Sequence, residues 1–334
     1  MSAKQYDTLS DEMIITLSHQ ALAAYPHCHG AKVKLICRSE NATLRVSTRH
    51  GCYALRIHRA EYHGLQDIES ELLWLDALRE ADICVPQAVY DCMDERIQIL
   101  SLGDGTQRLA VLFHWIEGDM PTTEVDPVAF RQLGRITAQL HRHSRQWQKP
   151  GGFKRIIWNH HTMVSADSHW GDWRDAPGLS KEAQPIIEQA IAQIASQMAD
   201  FGQQADRYGL IHADLRLTNL LMHKGQTRVI DFDDCGMGWY LHDLAAAISF
   251  VEHHPGAPDW VENWLTGYEQ VAHLSDQELA IVPTLLTQRR IQLTAWVASH
   301  RDTSMARSLG EHWPSHTVRL CQRYLNGEHR PIGA

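Results

Sequence analysis

The sequence predicts an α+β protein in two parts. An antiparallel sheet with one inserted helix is expected over residues 1–115, and a mainly helical part over 116–334. Short alternating runs rich in β-formers crowd the first third of the chain. Apolar residues at helical spacing dominate after Gly118. Between the later helices, one loop-and-strand stretch from Leu210 to Asp234 carries polar groups at regular separations.

The elements follow in order. KVKLICR (32–38), ATLRVST (42–48) and CYALRIH (52–58) read as strands, broken by the turn-like SEN and RHG. Leu65, Ile68, Leu72, Leu75 and Leu78 recur at helical spacing, which predicts a helix over 65–80. Further strands are expected at Gln87–Tyr90, at Arg96–Leu100 and, after the GDG turn at 103–105, in RLAVLFHW. Phe130, Leu133, Ile136 and Leu140 stripe a helix over 126–146. Residues 148–178 are rich in Gly, Trp and Asp and read as irregular, and a further helix covers 180–201. SDQE at 275–278 is a capping box, with Ser275 as N-cap and Glu278 at N3, opening a helix towards Ser299.

Composition narrows the function. The chain has 334 residues, 44% apolar and 21% charged, as in an ordinary globular protein with a large core. Its net charge of -9 argues against a nucleic-acid partner, because a phosphate backbone attracts clustered Lys and Arg. Seven scattered cysteines without a CxxC pair argue for reduced thiols and a cytoplasmic setting. The N-terminus has no signal-type apolar stretch, and nothing approaches the ~18 apolar residues of a membrane span. The 22 histidines, including His141 and His143 and the pairs at 160–161 and 253–254, lack metal-ligand spacing and read as scattered surface and structural groups.

The chemistry concentrates in LIHADLRLTNLLMHKGQTRVIDFDD. His212 and Asp214 fall in a loop, Asn219 follows Asp214 by five residues, and Asp231 follows Asn219 by twelve. A KGQ turn at 224–226 predicts a hairpin that brings Asn219 and Asp231 together. Phosphoryl transfer needs one carboxylate to orient and deprotonate the attacking hydroxyl, and oxygen ligands to hold Mg²⁺ against phosphates. Asp214 fits the first role, and Asn219 with Asp231 fits the second.

This loop resembles the catalytic loop of the aminoglycoside phosphotransferase and choline kinase superfamily, with HAD at 212–214 in place of the commoner HGD. The resemblance implies a bilobal protein-kinase-like fold, ATP and Mg²⁺ as cofactors, Asp214 as catalytic base, and Asn219 and Asp231 as metal ligands. It implies a structural role for Asp243. SENATLRV at 39–46 resembles the loop that covers the nucleotide, which nominates Ser39, Asn41 and Thr43. YALRI at 53–57 resembles the strand whose basic residue holds the phosphates, here Arg56 in place of Lys. Glu71 lies beside the apolar stripe of its helix, where a carboxylate is costly without a partner, and Arg56 is the expected one. Glu69 points further from the stripe and is expected to face solvent. LFHWIEGDM at 112–120 resembles the hinge, with backbone groups of His114, Trp115 and Ile116 for adenine and with Leu112 and Phe113 lining its pocket.

For the acceptor, the resemblance implies a small hydroxyl-bearing molecule. Homoserine, hydroxylysine, choline and aminoglycosides are the types it suggests. Asp167, Asp172 or Asp234 could meet a cationic group, while Trp158, Trp170, Trp173, Trp239 and Tyr240 read mainly as core. A protein Ser/Thr kinase and a nucleotide-binding pseudokinase are the alternative readings.

Overall fold

The computed structural model describes residues 9–38, 41–121, 127–328 and 332–333. The chain opens with α1 (Asp11–Leu22), whose N-cap Ser10 accepts from Met13 N. Next come β1 (Lys32–Arg38), β2 (Ala42–Thr48), β3 (Gly51–Ile57), α2 (Leu65–Glu80), β4 (Ile97–Ser101) and β5 (Gln107–His114). The strands form one antiparallel sheet in the order β1-β2-β3-β5-β4. Strand side chains alternate between faces. Leu44, Val46, Leu55, Ile57, Ala110 and Leu112 therefore share one face and pack with Ile14, Leu17, Ala21 and Leu22 of α1. Val111 and Phe113 take the opposite face, in a core that includes Ile68, Leu72 and Leu75 of α2.

Two local differences from the sequence reading have physical causes. The helix α1 adds a layer that the strand-rich pattern did not announce, although Ser10 followed by Asp11 and Glu12 is a start signal. The expected strand at Gln87–Tyr90 does not form as a strand. It makes only an isolated bridge, Ala88 to Phe113, flanked by Val89 N to Leu112 O at 2.7 Å and His114 N to Gln87 O at 2.9 Å. The strand β4 already occupies that edge of β5 as far as Val111, and Pro86 brings no N–H to extend a ladder.

Past Trp115 the chain crosses to the second part. Gly118 has φ of 150°, and a Cβ there would lie 2.9 Å from Leu221 Cβ, so only glycine fits the crossing. The second part contains α3 (Pro127–Gln146), β6 (Ile156–Ile157), α4 (His160–Val164), α5 (Gln184–Phe201), β7 (Tyr208–Ile211), β8 (Leu220–His223), β9 (Gln226–Val229) and β10 (Gly236–Trp239). It ends with α6 (His242–Ala247), α7 (Ala257–Glu269), α8 (Asp276–Ser299), α9 (Ser304–Leu309) and α10 (Trp313–Leu325). Its strands form a three-stranded sheet, β6-β10-β7, and the β8–β9 hairpin.

Helix packing is tight. A Cβ on Gly134 of α3 would lie 1.9 Å from Trp264 O, and one on Gly267 of α7 1.9 Å from Arg131 O. The capping box of Ser275 and Glu278 starts α8, which is buried on every side from Ile281 to Ala298. Burial on every side forces its polar residues to find partners inside. Arg290 does so with Glu252 at 2.5 Å, Thr317 Oγ1 at 2.8 Å and Trp313 O at 3.0 Å. No described helix is long and apolar enough to cross a membrane.

Candidate active site

The loop after β7 is set by a carboxylate from α6. Asp243 is fully buried and accepts from His212 N at 3.1 Å and Ala213 N at 2.7 Å. His141 Nε2, from α3, lies 2.9 Å from the same carboxylate, and Tyr268 Oη lies 3.0 Å from His141 Nδ1. Burial alone would raise the Asp243 carboxyl, but His141, His212 and His242 hold it below its ordinary value. This bonding sustains a φ of 68° at Ala213, a conformation costing roughly 1–2 kcal/mol for a residue with a Cβ. Glycine, the commoner residue in HGD, would adopt it freely.

Asp214 projects from this loop as its most elaborately held side chain. Arg289 Nη2, from α8, reaches Oδ1 at 2.9 Å, and Arg216 reaches Oδ2 at 3.1 Å. Asn219 Nδ2 donates to Asp214 O at 2.8 Å and to Oδ2 at 3.2 Å. Arg289 is itself pinned by Ser249 Oγ at 3.0 Å and Gln292 Oε1 at 3.1 Å, with its guanidinium over the Trp170 ring. The carboxylate therefore has a fixed orientation and keeps partial access to solvent.

The β8–β9 hairpin turns at Lys224 and Gly225, both at positive φ. Leu220 pairs with Val229, and Ile230 N donates to Asn219 O at 3.0 Å. Asn219 and Asp231 therefore stand together at the open end of the ladder. The Asn219 amide nitrogen is committed to Asp214, which leaves Oδ1 as the atom it could offer to a cation. Asp231 has φ of 65° and is exposed to solvent. Desolvation by the surrounding protein, together with Asp233 and Asp214 and against the pull of Arg56, pushes its carboxyl up to about 7. An amide oxygen beside an uncompensated carboxylate is a hard-cation donor set, and it fits Mg²⁺.

On the sheet side, Arg56 Nη2 bonds both oxygens of Glu71, at 2.8 and 2.7 Å. Both side chains are buried, with Glu71 only 1% exposed. Arg56 also lies over the Phe113 ring, 5.1 Å from its centroid. Thr43 is directly opposite Arg56 in the β2–β3 register. Asn41 Oδ1 accepts from Arg59 N at 3.2 Å and ties down the chain leaving β3. Ser39 lies outside the described residues.

In the hinge, Trp115 N donates to Cys52 O at 3.3 Å, and His114 N is bonded to Gln87 O. Two of the three backbone donors expected to meet adenine are thus engaged within the protein. Ile116 is half-buried just beyond them. Leu112 does not line the cleft with Phe113. Adjacent strand residues face opposite ways, and Leu112 packs in the α1 layer. Glu69 pairs with Arg96, which also holds Asp76 at 2.6 Å, so it is not simply solvent-facing.

The acidic run after Asp231 divides its labour. Asp233 is buried against His58 and His63. Asp234 Oδ1 accepts from Tyr62 Oη at 2.7 Å. Asp172 caps Arg174 N and pairs with its guanidinium, and Asp167 is exposed. Trp158, Trp170, Trp173, Trp239 and Tyr240 are buried. Arg216, Arg289, His58 and His63 did not emerge from the sequence. Only Arg289 left a signal, as one of two arginines inside the apolar run of α8.

A model of the phosphotransferase enzyme family matches residues 37–279. The chain belongs to that family. The phosphotransferase is 36% identical to a solved structure described as the microcompartment-associated aminopropanol kinase. That likeness covers 95% of this chain and 99% of the other, at a TM-score of 0.88. The structure of amicoumacin kinase hAmiN with AMP-PNP, Ca²⁺ and Ami shares the fold at a TM-score of 0.76 and 20% identity, covering 97% of this chain and 96% of that one. Homoserine kinase of Gluconobacter oxydans (strain 621H) is 26% identical over 283 residues, 80% of this chain and 83% of the relative. The bilobal protein-kinase-like fold and membership among small-molecule kinases therefore stand.

Proposed function

We propose that this phosphotransferase moves the γ-phosphate of ATP, held with Mg²⁺, to the hydroxyl of a small amino alcohol. Near full-length similarity to an aminopropanol kinase carries the reading of the acceptor. Asp214, fixed by Arg289 and Arg216, accepts the proton of the acceptor hydroxyl as its oxygen attacks phosphorus. Asn219 Oδ1 and the Asp231 carboxylate hold the cation, which supplies charge neutralisation on the phosphates. Arg56 contacts the phosphates and is kept in place by Glu71. Phe113 offers an apolar surface to adenine.

Asp234 takes the acceptor's ammonium. Of Asp167, Asp172 and Asp234, it is the one in the electrostatic field of both Arg216 and Arg289, the residues on Asp214. The seven cysteines are free thiols, which supports a reducing, cytoplasmic setting.

An ADP-release assay with ³¹P readout, run over 1-amino-2-propanol, ethanolamine, homoserine, hydroxylysine, choline, an aminoglycoside and a generic protein, tests the reading. Highest kcat/KM on a short amino alcohol is expected. Phosphoprotein as the main product, or ATP binding without turnover on any acceptor, would overturn it.

A further inference from the structure

The loop between β3 and α2 reaches across to the second part of the molecule. His58 Nδ1 and His63 Nε2 lie 3.3 and 3.7 Å from the carboxylate oxygens of buried Asp233. Between them in the chain, Tyr62 Oη donates to Asp234 Oδ1 at 2.7 Å, and Arg59 Nη1 lies 3.4 Å from Nε2 of His300, the C-cap of α8. Arg59 also stacks over the Tyr62 ring, 4.2 Å from its centroid. These cross-links hold the loop as a fixed wall. They sustain a φ of 61° at Glu61, in the left-handed region that a residue with a Cβ seldom enters.

The wall completes a ring of side-chain contacts that begins and ends on the two carboxylates assigned to the acceptor. From Asp214 the contacts pass to Arg216 at 3.1 Å, and Arg216 lies over the Phe250 ring. Phe250 meets Trp296 edge-on, and Trp296 stacks on His300. His300 meets Arg59, and the Tyr62 hydroxyl brings the ring to Asp234. Asp214 and Asp234 both act on the Arg216 guanidinium, which suits an acceptor whose hydroxyl and ammonium are joined by a short carbon chain. One face of the Tyr62 ring serves Arg59, so what Tyr62 offers the site is its hydroxyl, which fixes the direction of the Asp234 carboxylate. Arg59 places a positive charge beside that arrangement, where a second ammonium on the acceptor would be repelled.

We propose that Tyr62 and Arg59 select the acceptor class: Tyr62 positions Asp234 for one ammonium, and Arg59 excludes acceptors that carry a second. The enzyme then takes short alcohols with a single amine and rejects polyamines, aminoglycosides among them. This deepens the reading of the site given above and rests on Asp234 as the partner of the ammonium. Tyr62 is a positioning residue, since it acts on the acceptor through Asp234. The selecting wall comes from the sheet part, whereas the base and the carboxylate it serves belong to the second part.

The test uses the full chain with Mg-ATP and follows ADP release on 1-amino-2-propanol and on 1,3-diamino-2-propanol, which adds an amine and little bulk. Tyr62→Phe keeps the ring under Arg59 and removes the bond to Asp234. Its KM for 1-amino-2-propanol is expected to rise about tenfold, the worth of a hydrogen bond to a charged group, with KM for ATP and melting temperature unchanged. Arg59→Gln is expected to raise kcat/KM for the diamine relative to the monoamine about tenfold, as loss of a like charge nearby requires. Asp234→Asn separates the two levels of the argument. Unchanged KM for 1-amino-2-propanol in that variant, or no ADP release by the wild type on either compound, would overturn the ammonium reading and this proposal together. A raised KM in Asp234→Asn beside an unchanged one in Tyr62→Phe, or an unchanged diamine ratio in Arg59→Gln, would overturn the proposal alone. A rise of both KM values in Tyr62→Phe with a lowered melting temperature would mark a merely structural role and also overturn it.

Discussion

Removing either partner of the Arg56–Glu71 pair is expected to destabilise the fold sharply, while removing both is not. Glu71 is 1% exposed and Arg56 9%, and two bonds of 2.8 and 2.7 Å join them. Arg56→Met strands a carboxylate with almost no access to water. Glu71→Leu strands a guanidinium whose Nε already lacks a hydrogen-bond partner. Breaking a buried pair from one side costs about 3–5 kcal/mol, or roughly 10²–10⁴-fold in the folding equilibrium. The double change leaves no uncompensated charge and replaces the pair with apolar groups of similar volume. It is expected to restore at least about 2 kcal/mol of what the singles lose when summed, and to approach the wild type. Affinity for Mg-ATP is expected to stay low in the double variant, because the guanidinium assigned to the phosphates is gone. Urea denaturation of the four proteins gives the stability cycle, and calorimetry with Mg-ATP gives binding. Strict additivity in urea would refute the coupling. Recovery of nucleotide affinity in the double variant would refute the phosphate role of Arg56.

Four further outcomes are expected. Asp214→Asn keeps shape and loses basicity, so kcat is expected to fall about 10²–10⁴-fold with ATP affinity nearly unchanged; loss of nucleotide binding in a folded variant would make Asp214 a metal ligand instead. Asp231→Ala is expected to weaken Mg-ATP binding in calorimetry, and unchanged affinity would remove it from the metal site. Burial and then Arg289 push His242 down to about 3, so the folded state refuses a proton that the unfolded chain accepts below about 6.5. Stability is therefore expected to be full above about pH 6.5 and to be lost as pH falls towards 3, by about 2 kcal/mol between pH 6.5 and 5. Denaturation of His242→Leu should show that acid limb flattened. Gly134→Ala drives a Cβ to within 1.9 Å of Trp264 O, and the helix crossing is expected to lose ~1–3 kcal/mol or more. Gly103→Ala, with nothing within 4 Å, serves as the neutral control.

Much of the fold and site could be read along the chain because the signals are local. The helix at 65–80, the strands at 32–38 and 42–48 and the box at Ser275 each depend on periodicity or capping within a few residues, and the structure places them there. The spacing of Asp214, Asn219 and Asp231 was legible for the same reason, since one short hairpin joins them. Even the Arg56–Glu71 pair left a trace, because a carboxylate beside an apolar stripe demands a partner.

Other features belong to the tertiary structure alone. The spacing of Arg289 and Asp214, 75 residues apart, follows no local rule, and only the burial of α8 on every side brings them to 2.9 Å. Leu112 and Phe113 looked equivalent until a helix covered one face of the sheet. The bond from Arg59 N to Asn41 Oδ1 joins residues 18 apart in the chain, and only the return of the chain after β3 brings them together. His58 and His63 meet Asp233 across more than 150 residues of sequence. A sequence determines the periods and turns that each segment satisfies by itself. Which side chains share a buried volume depends on how the segments are stacked, and that is decided when burial leaves each polar group only the partners that packing brings near.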